Sequence, residues 1–168
     1  VEFSLCFVVF ILVIFAVIDF GRYMLIQHNL NLISAEAARA GITAQRLTRD
    51  TGAGPVQLNR EQSIRVRAIE AANKLGFVDL GSVNPYSPKN ITIEHVSGTA
   101  AYATQDISTL TWSPGPGGYD AMVRITITQD FNFLTPMISW IGSNSSLRTI
   151  RATSIQRNRG DEDEFATD

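Results

Sequence analysis

The first eighteen residues, Val1 to Ile18, form one apolar run interrupted only by Ser4 and by the carboxylate of Glu2. From Phe3 to Ile18 the run covers about 24 Å at about 1.5 Å per helical residue, somewhat short of a hydrocarbon core of about 30 Å. Continuation through Asp19-Phe20-Gly21-Arg22-Tyr23-Met24-Leu25-Ile26 completes a crossing. An ionised side chain at the start of such a run costs several kcal/mol on any scale (~2.5 at the least), so Glu2 calls for a partner. The expected partner is a free amine, and the helix is expected to pack against copies of itself.

The run does not fit a secretory signal peptide. Signal peptides end in a small-residue cleavage site, and no Ala-x-Ala site follows Ile18 before the polar chain resumes. The segment is expected to be retained, with any residues that fix topology lying upstream of Val1, because Arg22 is the first basic residue. Asp19 and Arg22 stand one helical turn apart and are expected to pair at the membrane–water boundary that Tyr23 marks.

Beyond the run, Ile26, Leu30, Ile33, Ala37 and Gly41 recur at helical spacing, while Gln27, Asn31, Glu36 and Arg39 fall on other faces. A single helix is therefore expected from Val1 to about Arg49, its first half in lipid or a bundle and its second half docked on a head. Thr51-Gly52-Ala53-Gly54-Pro55 ends it as a turn and lacks the Lys-Ser/Thr of a phosphate loop. Asn59 with Gln62 caps a second helix over about Arg60 to Leu75, closed by Gly76 and buried along Ile64, Ala68, Ala71, Ala72 and Leu75. This helix is expected to lie on the sheet that follows.

Asn84 to Pro88 reads as a rigid loop and Ile91 to Val96 as a strand. In Met122 to Phe133, Val123, Ile125, Ile127, Phe131 and Phe133 alternate with polar residues, the pattern of a sheet with one buried face. Leu147 to Gln156 is a third strand and Ile107 to Trp112 a weaker fourth. Ser113 to Gly118 reads as a flexible loop, and Leu134 to Gly142 as a short helix whose Trp140 and Ile141 fill the core. The fold class is α+β: a long N-terminal helix on a small antiparallel sheet, with a second helix.

Composition limits function. With 168 residues, 45% of them hydrophobic, the chain supports one membrane helix and one modest head. We divide it into a hydrophobic helix at 1–25, a head at 26–158 that includes the continuation of the helix, and an acidic tail at 159–168. A net charge of −2 provides no electrostatic footprint for nucleic acid. Cys6 is the single cysteine, so neither an intrachain disulfide nor a cysteine metal site is expected. His28 and His95 lack the neighbours of a metal or catalytic site, so neither cofactor nor enzymatic activity is expected. Asn90-Ile91-Thr92 and Asn144-Ser145-Ser146 fit a glycosylation pattern that arises commonly by chance, and Arg159-Gly160-Asp161 opens a solvated acidic tail.

Val1-Glu2-Phe3, the apolar run, Ile18-Asp19-Phe20-Gly21-Arg22 and Ser34-Ala35-Glu36-Ala37-Ala38-Arg39-Ala40-Gly41 resemble the N-terminal pattern of TadE-like proteins, pilin-like subunits of the tight-adherence (type IVc) pilus machinery. Val123 to Ile127, Phe131 to Pro136 and Ala152 to Asn158 resemble the family's closing pattern. The resemblance implies a pilin-like fold and a basic leader removed by a prepilin peptidase. It also implies insertion in the bacterial inner membrane and passage through an assembly platform into an extracellular pilus, with other pilin subunits as partners and the lipid bilayer as host before assembly. Pilins generally carry a glutamate five residues into the mature chain, whereas Glu2 is the second residue of this sequence, so either a few mature residues precede Val1 or processing differs. The residues expected to serve assembly are Glu2, Phe3, Ser4, Cys6, Ala16, Asp19 and Arg22; Ser4, Cys6 and Ala16 are small enough for close helix approach. The rival expectation is a single-pass envelope protein whose head binds a ligand or partner while the helix merely anchors it.

Overall fold

The computed structural model describes residues 2–43, 46–50, 54–76, 78, 80, 90–97, 107–133 and 149–158. Helix α1 (Glu2–Ile42) runs 41 residues, about 60 Å at the helical rise. Its covered stripe is the one the spacing predicts: Leu30, Ile33 and Ala37 are fully buried, and Ile26 packs against the same core.

The helix stops about seven residues before the expected Arg49. Two contacts act at its end, one local and one from farther along the chain. The Thr43 hydroxyl donates back to the carbonyls of Arg39 (3.2 Å) and Ala40 (3.3 Å), and the Gly41 carbonyl is taken by the Arg60 side chain. Strand β1 (Thr48–Asp50) then pairs antiparallel with β2 (Pro55–Gln57), which puts the expected breaker cluster between two short strands; its residues 51–53 lie outside the described residues.

Helix α2 (Arg60–Leu75) has the predicted bounds. The Asn59 side chain accepts from the Gln62 amide (2.8 Å) and the Asn59 amide donates to the Gln62 side chain (3.2 Å), a reciprocal capping box. Gly76 closes the helix at φ 71°, a left-handed conformation that disfavours any Cβ. Helix α2 packs along α1 and also meets the sheet that follows, through Ile64 in the shared core and through Arg65, whose Nη1 donates to the Ile91 carbonyl (3.0 Å), while α1 crosses the two strands nearest the C-terminus.

The main sheet has the order β4-β3-β5-β6, with β3 (Ile91–Val96), β4 (Ser113–Pro114), β5 (Met122–Asp130) and β6 (Thr149–Arg157), all neighbours antiparallel. Val123, Ile125 and Ile127 point to the core beside Ile91, Ile93, Ile150 and Ala152, against Leu30, Ile33 and Ile64 from the helices. The other face carries Thr92–Thr126–Thr153 and Glu94–Arg124 rows set by register. Arg124 bonds Glu94 at 2.6 Å and lies 4.2 Å from the Trp112 ring centroid.

Three strand limits differ from the sequence reading. Residues Ile107–Thr109 form a 3-10 turn rather than part of a strand, closed by Leu110 N–H to Ile107 O at 3.4 Å. The edge strand is instead β4, inside the segment expected to be a flexible loop, and Pro114 suits an edge because it has no N–H to give. Finally, β5 ends at Asp130, and Phe131 turns inward to 1% exposure. The predicted loop at Asn84–Pro88, the helix at Leu134–Gly142, Asn144 and the acidic tail lie outside the described residues.

Candidate functional site: the exposed apolar helix and its collar

The first half of α1 has no cover to match its hydrophobicity. Phe3, Phe7, Val8, Val9, Phe10, Val13, Ile14, Phe15, Val17 and Ile18 are all more than two-fifths exposed. A bare patch of this length greatly exceeds what a monomeric soluble surface carries and marks a lipid or protein contact. The chain therefore has one N-terminal helix long and apolar enough to span a membrane.

Of the expected assembly residues, Phe3 is 82% exposed and stacks on Phe7 with ring centroids 6.4 Å apart. Cys6 is exposed and Ala16 half-buried. Glu2 and Ser4 lie in the helix backbone, but their side chains lie outside the described residues.

Asp19 and Arg22 form the predicted pair, Arg22 Nη1 to Asp19 Oδ1 at 3.4 Å. Their setting differs from a simple surface pair, because Asp19 is only 1% exposed. One turn on, Tyr23 meets Phe131 edge-to-face at 5.8 Å, and Phe131 meets Phe133 edge-to-face at 4.9 Å. Arg22 lies over the Phe131 ring at 5.5 Å. Chain segments more than a hundred residues apart thus form a collar where the bare helix enters the head. A sequence signal for this existed: Asp19, Tyr23, Ile26 and Leu30 are spaced four, three and four apart, so the covered stripe starts at Asp19 rather than Ile26.

At the opposite end of the head, the sequence reading missed a buried cation. Arg60 is 1% exposed; its guanidinium donates to the Gly41 carbonyl through Nε (3.1 Å) and Nη2 (2.8 Å), to Asn158 Oδ1 (2.6 Å) and to the Gly117 carbonyl. Asn158 in turn donates to the carbonyls of Gly118 (2.7 Å) and Pro116 (3.2 Å). A planar fork of donors suits several carbonyls at once, and a cation at the C-terminal end of α1 complements its dipole. Gly117, at φ 66°, must be glycine: a Cβ there would stand 2.7 Å from the His95 Cβ. The spacing of Arg60 in line with Ile64, Ala68 and Ala72 was the available clue.

Among the described residues no cluster of three or more His, Cys, Asp or Glu is arranged to hold a metal ion. The clefts between α1 and α2, lined in part by Leu32, Glu36, Arg39, Arg67 and Lys74, are shallow and of mixed charge. His95 is engaged with the backbone of the Gly115 loop, Nδ1 to O 3.2 Å. The chemistry concentrated here is that of packing surfaces.

Comparison with curated proteins and with solved structures gives no match. Over residues 1–39, the stretch that holds the bare helix, the collar acid and the start of the buried stripe, the chain matches the family of TadE-like proteins.

Proposed function

We propose that this chain is a structural pilin-like subunit, inserted in the bacterial inner membrane by its N-terminal helix and then assembled through that helix into a tight-adherence pilus or its tip or priming complex, where it supports surface adhesion. The observation that carries the reading is the pairing of a bare apolar helix with a head whose core is closed, on a stretch that matches the TadE-like family. The head's core draws on α1 only from Tyr23 onward, so the apolar surface of the first half is left for lipid and then for neighbouring subunits. Glu2, Phe3, Ser4, Cys6 and Ala16 are the residues we place in that contact, and Asp19 and Arg22 serve it indirectly as the ion pair where the bare helix enters the head. The partners are other pilin subunits, the inner-membrane assembly platform and a prepilin peptidase, and the role is structural rather than enzymatic. The test is to shear surface filaments from cells and identify their protein by mass spectrometry. Peptides of this chain in the sheared fraction are expected; their confinement to the membrane fraction would favour an anchored binding head.

A further inference from the structure

We infer that the head shields Asp19 within the membrane interface, so that the span continues past this acid on one face of α1, to Leu25, and the underside of the head sits against the lipid headgroups. The inference rests on the membrane insertion proposed above and adds what lets the longer span pass its acid.

The outward face of α1 does not become polar at Asp19. Phe20 is 61% exposed, Met24 48% and Leu25 43%, and these side chains continue the bare surface of Val17 and Ile18. Arg22 is exposed at the edge of this surface beside Ile18 and Leu25, and beyond it the first polar residues on that side are His28 and Asn31, both exposed. Counted from Phe3 to Leu25, the apolar face spans 23 residues, about 34 Å at the helical rise, which matches a hydrocarbon core of about 30 Å with slight tilt. Counted to Ile18 it falls short by about 6 Å.

The obstacle to the longer span is one carboxylate, and the structure removes it. Asp19 lies on the opposite face from Met24, at 1% exposure, in contact with Arg22. A helix alone cannot bury its own side chain so completely, so the head provides the cover. Arg22, with its side chain 43% exposed, is within about a turn of the proposed boundary, from which its long stem reaches the headgroups. Tyr23 and Phe133 give the collar the aromatic character that suits this depth. Lipid is the occupant the lengths favour, because the apolar face ends where a bilayer would.

The test uses the full chain with its cysteine removed (Cys6→Ala) and single cysteines introduced at Phe20, Met24 or His28, each carrying an environment-sensitive fluorophore. The protein is reconstituted in phosphatidylethanolamine/phosphatidylglycerol vesicles and exposed to acyl-chain-linked or aqueous iodide quencher. Labels at 20 and 24 are expected to be quenched from the acyl chains and the label at 28 by iodide. Phe20→Asp, which puts a carboxylate on the lipid face one residue on, should abolish acyl-chain quenching at 24. Iodide quenching at 20 and 24 in vesicle-bound protein overturns the inference alone. Protection from both quenchers assigns the face to protein, such as a second copy, and also overturns it. Failure to float with the vesicles overturns the inference together with the membrane reading beneath it.

Discussion

Arg60 shows how much of the head depends on a single side chain. Its guanidinium joins the last turn of α1, the glycine-containing loop before β5 and the residue after β6, with the Arg60 side chain itself buried. Replacing it with Met would leave the Gly41 and Gly117 carbonyls and the Asn158 amide oxygen without their donor, each at about 1–3 kcal/mol. Thermal melting should drop by on the order of 10 °C, and Arg60→Lys should recover little because an ammonium cannot span the same acceptors. An unchanged melt would show that water or neighbouring donors replace the fork. At the other end of the chain, Glu2 is assigned to neutralise a cationic group of its own or a neighbouring subunit. Glu2→Ala should insert in the membrane normally but enter filaments poorly, since an uncompensated charge in an apolar bundle costs several kcal/mol, at least ~2.5. Immunoblots of sheared and membrane fractions report both outcomes, and full incorporation of the variant would remove Glu2 from the assembly contact.

The elements were legible in the sequence in proportion to how local their causes are. Asn59, Gln62 and Gly76 sit within or beside the helix they bound, and α2 has the limits they predict. The alternation in β5 likewise reports a buried face directly: Ile125 and Ile127 are fully buried. What escaped was set from a distance. The end of α1 depends on Arg60, nineteen residues on, and the turn at Ile107–Thr109 gives way to an edge strand only because β3 offers Ile93 O to Gly115 N–H at 2.9 Å. A fragment beginning at Asp19 keeps the whole covered stripe and should melt cooperatively. In that fragment Ile125→Asp puts an unpaired charge in the core, at several kcal/mol against a total of about 5–15 kcal/mol, and should abolish the transition. A parent fragment without a cooperative melt, or an Asp variant that melts like it, would contradict the assignment of the head.

At the scale of the whole molecule, the fold divides its work along α1. One half of the helix is bare and the other is the backbone of the head's core, so one helix carries both the exposed apolar surface and the head. A simple anchor needs only apolar length, because lipid responds to hydrophobicity and not to side-chain pattern. A filament core needs complementary surfaces, in which small residues such as Ser4, Cys6 and Ala16 let bulky Phe, Ile and Val neighbours interlock. The most direct measurement replaces Phe3 to Ile18 by an unrelated apolar helix of equal length and follows the protein by membrane fractionation and filament shearing in parallel. The account predicts full membrane attachment with loss from the sheared filaments; a swapped helix that supports both equally would contradict it.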